Sequence, residues 1–240
     1  YIKLPKKEVK DVFDRVKAMF LQKISYVVNK GIDSVVITMN LGVIASGYYA
    51  NYTLIVNALT AIIFQVVSSL TASVGNLLTE KNQKKSYQIY KKINMLDSFL
   101  TAIGICGFLS VINDFITIWI GSEYILNVYI TISFAIYIYS DSIRRTMTLF
   151  KDSAGICKED KNTYIVMALI NLITSIILCK KIGISGVIIG TAISYIYLIL
   201  YSYPKYVFNV GITCLIFTLF FYRSNEFKYF KDIFLKMLKK

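Results

Sequence analysis

The sequence predicts an all-α fold, a polytopic transmembrane helix bundle, and three observations carry that prediction. Of 240 residues, 56% are hydrophobic and 17% are charged, against about 25% charged in a soluble domain. Only 2 prolines and 12 glycines punctuate the chain. The apolar residues fall in long blocks, matching helices that satisfy their own backbone hydrogen bonds in lipid and need about 20 residues to cross it. The chain has no histidine, which removes histidine-based zinc chemistry and Ser-His-Asp catalysis. Cys106, Cys157, Cys179 and Cys214 form no C-x-x-C pair and are expected as free thiols packed like small apolar side chains.

Residues 1–23 form a lead-in. Val9, Val12, Phe13, Val16 and Phe20 recur at three- and four-residue spacing with lysines between them, the pattern of an amphipathic helix lying in the cytoplasmic interface. The opening YIKLPKKEVK has neither an initiator Met nor a signal-peptide pattern, which suggests a fragment or a truncated gene. Six spans are expected over 24–43, 48–78, 96–118, 124–143, 163–180 and 184–203, making 24–203 one six-helix lobe. The second is longer than the hydrocarbon requires and is expected to project beyond it as a continuous helix. Short turns, LGVIASG, NDFITIWIGSE and KKIGI, join alternate pairs. Residues 204–240 are expected to form a membrane-associated segment (VFNVGITCLIFTLFFY, 207–222) and a basic tail held inside.

Charge orients the chain. The stretches 1–23, 79–95 and 144–162 hold seven, five and five Lys or Arg, whereas the opposite turns hold only Lys180 and Lys181. The basic stretches therefore face the cytoplasm. Trp119, Tyr48, Tyr49 and Tyr124 then fall at the outer interface, where aromatic anchors are expected. Solvated positive charge accounts for these loops, and nothing in them calls for nucleic acid.

The second span is unusually polar. Asn57, Thr60, Ala61, Ser68, Thr71, Ala72, Gly75 and Thr79 share one helical face, and Leu59, Ile62, Val66, Leu70 and Leu77 the other. Small hydroxylated residues serve close helix packing in membranes, but Asn57 and Gln65 are bulkier than packing needs, which favours a cavity wall. In the sixth span, Gly186, Gly190 and Ser194 make a small-xxx-small stripe suited to tight packing. Asn171 and Ser175 share a face of the fifth span. At about 1.5 Å per residue, Asp33, Asn171, Ser175 and Thr191 all lie within roughly 10 Å of the midplane.

The serial order YYANYTLIVNAL, SSLTASVGNLLTE, FITIWIGSEY, NLITSIIL and KKIGISGVIIGTAISY, within about residues 10–203, resembles the bacterial polysaccharide transporter family of the multidrug/oligosaccharidyl-lipid/polysaccharide (MOP) exporter superfamily. The similarity is to the C-terminal half of such proteins, whose two six-helix lobes enclose a central cavity; the N-terminal lobe would be a missing partner. It implies a flippase of the bacterial plasma membrane, moving undecaprenyl-diphosphate-linked oligosaccharide from the inner to the outer leaflet for O-antigen, capsule or exopolysaccharide. Membrane lipids and other polysaccharide-assembly proteins are the further partners implied. Related exporters are similar in using a carboxylate on the first helix of this lobe, and polar groups on its last two, for Na⁺ or H⁺ coupling. The lead-in and the tail fit the pattern less well, and Lys30 stands where the family more often has a small or polar residue.

The stretch KGIDSVVITMNLG (30–42) sets two opposite charges in an apolar segment. A charge near the bilayer centre costs about 2.5–3.5 kcal/mol on insertion scales and should face the bundle interior with a partner. Two readings stand open. Lys30 and Asp33, three residues apart, can pair with each other. Alternatively, Lys30 reaches toward a diphosphate or headgroups, and Asp33 joins Asn171, Ser175 and Thr191 in an oxygen cage for Na⁺, or a proton site. Candidate diphosphate contacts are Lys30, Arg144 and Arg145. Two consecutive arginines at a helix end can grip phosphate by bidentate hydrogen bonds or simply anchor the inside face. Asn57, Gln65 and Ser68 complete the candidate substrate-binding set. No cofactor beyond a coupling Na⁺ or H⁺ is expected.

An enzyme is not expected. A glycosyltransferase would want paired acidic metal ligands, and no D-x-D occurs; a polymerase would carry a large outer loop. A multidrug exporter of the same architecture and an inactive truncated remnant remain alternatives.

Overall fold

The computed structural model describes residues 6–80, 82–154 and 161–202. Among them every regular element is helical. In chain order these are α1 (Lys6–Leu41), α2 (Val43–Ser68), α3 (Thr71–Thr79), α4 (Gln83–Trp119), a single 3₁₀ turn (Ser122–Tyr124), α5 (Val128–Ser153), α6 (Lys161–Ile182) and α7 (Ile184–Ser202). Four helical stretches among the described residues are long and apolar enough to cross a membrane: Val43–Thr79, Gln83–Trp119, Asn162–Ile182 and Ile184–Tyr201. The expected span at 24–43 falls in α1 as far as Leu41 and that at 124–143 falls in α5 from Val128 on, and neither is among these four. Asn29, Lys30, Asp33 and Asn40 dilute the apolar character of the first; Asp141, Arg144 and Arg145 dilute that of α5.

Several boundaries differ from expectation for local reasons. The lead-in and the first span form one continuous helix, because nothing between residues 6 and 41 breaks it: no proline, and the one glycine, Gly31, is tolerated. The seven-residue turn LGVIASG reduces to Gly42, whose φ of 91° lies in the left-handed region open mainly to glycine. Gly183, at φ 64°, joins α6 to α7 in the same way. Instead of running unbroken, the second span is interrupted at Ser69–Leu70. There Ser68, Ser69 and Thr71 each donate a side-chain hydroxyl to a carbonyl three residues back, competing with the helical ladder. Helix α4 starts at Gln83 rather than near 96, capped by Asn82, whose side chain accepts from the Lys85 N–H at 3.1 Å. Helix α5 runs on to Ser153, so Arg144 and Arg145 stand inside it and not at its end.

Helix α7 packs against α6, α5 and α1, and α4 packs against α5 and α2. The core is aliphatic and aromatic: Tyr49 and Tyr52 of α2 stack on Phe134 of α5 with ring centroids 5.9 and 6.1 Å apart. Tyr49, expected at the outer interface, is therefore a core residue, whereas Tyr48 meets Tyr124 edge-on. Leu77, expected on the lipid face, is also buried. Ile165, Leu169, Ile173, Ile176 and Ile177 of α6 are exposed along one stripe, an apolar face of the kind lipid covers. Helices α6 and α7 approach each other closely. A Cβ at Gly186 would collide with the Leu178 carbonyl oxygen, and one at Gly190 would stand 2.6 Å from Ser175 Oγ. Cys106 and Cys179 are free thiols. Cys157, Cys214, the segment 207–222 and the basic tail lie outside the described residues.

Candidate functional site

Helical periodicity and the glycine contact assemble a buried polar cluster from four helices. Asp33 lies one turn beyond Asn29 on α1, and Asn171 lies one turn before Ser175 on α6. Gly190 lets the α7 backbone rest on Ser175, which brings the next residue, Thr191, against Asn171 and Asp33. Thr191 Oγ1 lies 2.8 and 2.9 Å from the two Asp33 carboxylate oxygens, 3.1 Å from Asn171 Oδ1 and 3.3 Å from the Val187 carbonyl oxygen. Ser175 Oγ donates to Asn171 Oδ1 at 2.8 Å and also lies 3.3 Å from the Val187 oxygen. Asn171 Nδ2 donates to Asp33 and to the Asn29 carbonyl at 3.3 and 3.2 Å. The Tyr49 hydroxyl donates to Asp33 at 3.2 Å. Asp33, Asn171, Ser175 and Thr191 are all buried.

All four residues of the expected cage thus share one site, and three contributors went unnoticed in the sequence: the Val187 carbonyl, Tyr49 and Asn29. A hydroxyl carries one proton, yet Thr191 faces four acceptor oxygens. The cluster therefore has more lone pairs than donors. A single carboxylate amid neutral oxygens is a donor set for a small hard cation of low charge.

The two opening charges do not pair. Lys30 Nζ lies 3.4 Å from Asn57 Oδ1 and 5.4 Å from the Tyr26 ring centroid, and no ion pair joins it to Asp33 among the described residues.

A second cluster holds the arginines. Arg144 pairs with Asp141 through Nε and Nη2, its guanidinium 5.2 Å from the Tyr26 ring centroid and 4.9 Å from that of Tyr195. Arg145 lies 3.6 Å from Asp141 and 3.9 Å from Asp97 of α4, and it donates to the Thr60 carbonyl at 2.9 Å. Asp97 also accepts from Thr146 at 2.8 Å. Both arginines are thus inside the bundle with carboxylate partners. Asp141 was legible in the run DSIRR, three and four residues ahead of the arginines; Asp97 was not, since only the packing of α4 on α5 brings it near.

A cavity of about 680 Å³ opens beside these groups, lined by Lys30, Asn57, Ser68, Arg144 and Arg145 among others. The polar face of the second span is thus a cavity wall over Asn57, Thr60, Ala61, Ser68 and Thr71. Gln65 is not part of it. It is exposed on another side of α2. A smaller chamber of about 70 Å³ lies deeper, against Asp33, Tyr49 and Thr191, and Lys30 and Asn57 border this one too. No family model, curated protein or solved structure matches this chain.

Proposed function

We propose that this chain is one six-helix lobe of a cation-coupled flippase in the bacterial plasma membrane. Its substrate would be an undecaprenyl-diphosphate-linked oligosaccharide carried to the outer leaflet for O-antigen, capsule or exopolysaccharide. In this reading α1 and α5 cross the membrane alongside the four apolar stretches, with their charges turned to the interior as intramembrane charges require. The basic stretches stay cytoplasmic.

The observation that carries the reading is a buried oxygen cage beside a largely apolar cavity into which Lys30 brings a cation without an ion-pair partner among the described residues. Asp33, Asn171, Thr191 and the Val187 carbonyl would hold the coupling Na⁺, with Ser175 steadying Asn171; if the cargo is H⁺, Asp33 takes it. Lys30 and Asn57 face the cavity that would receive the diphosphate.

The test is Asp33→Asn in the intact transporter. Loss of ion-stimulated polysaccharide export at normal protein abundance is expected, and Asp33→Asn with Lys30→Met should stay inactive, because a neutral pair restores charge balance but binds no ion. Rescue of export by that double variant would refute the cation site. Unchanged polysaccharide together with lost drug efflux would assign the chain to the multidrug class instead.

A further inference from the structure

Lys30, exposed to the cavity, differs from the two arginines that share that cavity. Arg144 and Arg145 have carboxylate partners, Asp141 and Asp97. Lys30 has no ion pair among the described residues: its ammonium lies 3.4 Å from the Asn57 amide oxygen and 5.4 Å from the Tyr26 ring centroid, and it feels Asp141, which the two arginines already hold, only at longer range. It also stands on a border, since Lys30 and Asn57 line both the large cavity and the small chamber that touches Asp33 and Thr191. Positions three apart on a helix are neighbours on one face, and a lysine ammonium rides on a flexible four-carbon stem. Lys30 and Asn57 thus form the boundary between the large cavity and the chamber that touches Asp33. Its ammonium can serve either chamber, but not both at once.

We propose that Lys30 is the residue that couples the two chambers, by competing with the cation for Asp33. This rests on the cation-coupled flippase reading above. With a cation in the oxygen cage, Asp33 is neutralised, and like-charge repulsion holds the ammonium outward on Asn57, where it meets an anionic phosphate in the large cavity. With the cage vacated, Asp33 is the nearest uncompensated carboxylate, and Lys30 swings onto it, withdrawing its charge from the large cavity. Cation and anionic substrate then favour each other's binding without touching. Linkage makes the effect reciprocal, and coupling of this kind is typically worth about 5- to 150-fold in affinity. Asn57 is a positioning residue: its amide oxygen holds Lys30 in the outward state.

The experiment measures sodium affinity of the purified full chain in detergent by isothermal titration calorimetry. Inorganic pyrophosphate is the anionic probe, and choline chloride holds ionic strength constant. Wild type is expected to bind sodium at least about 5-fold more tightly when pyrophosphate is present. Lys30→Met should bind sodium more tightly than wild type without pyrophosphate, and pyrophosphate should then have no effect. Lys30→Arg should retain the effect. Asn57→Leu, which removes the outward anchor, should weaken sodium binding. The opposite signs of Lys30→Met and Asn57→Leu separate competition from damage to the fold, which would weaken binding in both. The proposal is overturned if Lys30→Met keeps wild-type sodium affinity and the full pyrophosphate effect, or if Asn57→Leu and Lys30→Met shift affinity in the same direction. Sodium binding that survives Asp33→Asn unchanged, or no sodium binding by wild type, would overturn the cation site itself and this coupling with it.

Discussion

At the scale of single residues, the interior is organised by which charges have partners. Arg145 has only 4% of its side chain exposed and faces Asp97, which is fully buried, and Asp141. Removing one member of a buried ion network strands the others, at a cost of about 3–5 kcal/mol. Arg145→Met is therefore expected to lower the thermal unfolding midpoint of the detergent-solubilised protein markedly, and adding Asp97→Asn should recover part of the loss. An Arg145→Met protein as stable as wild type would mean that the network contributes no stability. Thr191→Val tests the other cluster. It keeps the shape of the side chain but removes the oxygen that lies within 3.3 Å of four acceptors. Sodium affinity should fall on the order of tenfold, the equivalent of about 1.4 kcal/mol, with little change in abundance. Equal sodium affinity in that variant would remove Thr191 from the cage.

At the scale of elements, glycines decide how closely helices approach. Gly186 and Gly190 face backbone atoms of α6, and a Cβ at either position collides with atoms that cannot rotate away. Gly190→Ala should therefore push α7 off α6, lowering both stability and cation affinity, because Thr191 moves with it. Gly107 in the middle of α4 is the control, with nothing within 4 Å of an added Cβ. There alanine should be neutral or stabilise by up to about 1 kcal/mol, since glycine weakens a helix interior. If the two substitutions have equal effects on melting temperature, close α6–α7 packing is not the function of Gly190. Capping acts at the same scale: Asn127 accepts from the Tyr129 N–H at 3.1 Å and starts α5, and Asn82 starts α4.

For the whole molecule the question is which helices cross. Among the described residues four stretches qualify by length and apolarity, while α1 and α5 carry the charges that line the cavity. In the proposed topology both ends of α4 reach water, on opposite sides. In a background lacking the native cysteines, a thiol at Lys84 should be labelled from the cytoplasmic side and a thiol at Ser122 from outside. Both residues are exposed. Reversed labelling would invert the topology and the direction of transport, and labelling of both from one side would show that α4 does not cross.

Much of this was written in the chain because a helix converts sequence spacing into depth and face at a fixed rate. The long apolar blocks determined an all-helical fold. The four-residue spacings of Asn171 with Ser175 and of Gly186 with Gly190 determined which side chains act together. The rise per residue set Asp33 and Thr191 at matching depth before any contact was known. Local chemistry was subtler at the boundaries: nothing in the periodicity of 1–41 distinguishes an interfacial helix followed by a span from one helix running through both. What only the tertiary structure decided is azimuth, meaning which face of each helix meets which neighbour. Depth alone could not say that Lys30 turns to Asn57 rather than Asp33, that Gln65 points away from the cavity its neighbours line, or that Asp97 lies beside Arg145. Those outcomes depend on the rotation of each helix about its own axis, which is set by the packing of the bundle as a whole: α7 pressed onto α6 through two glycines, and Tyr49 and Tyr52 stacked on Phe134.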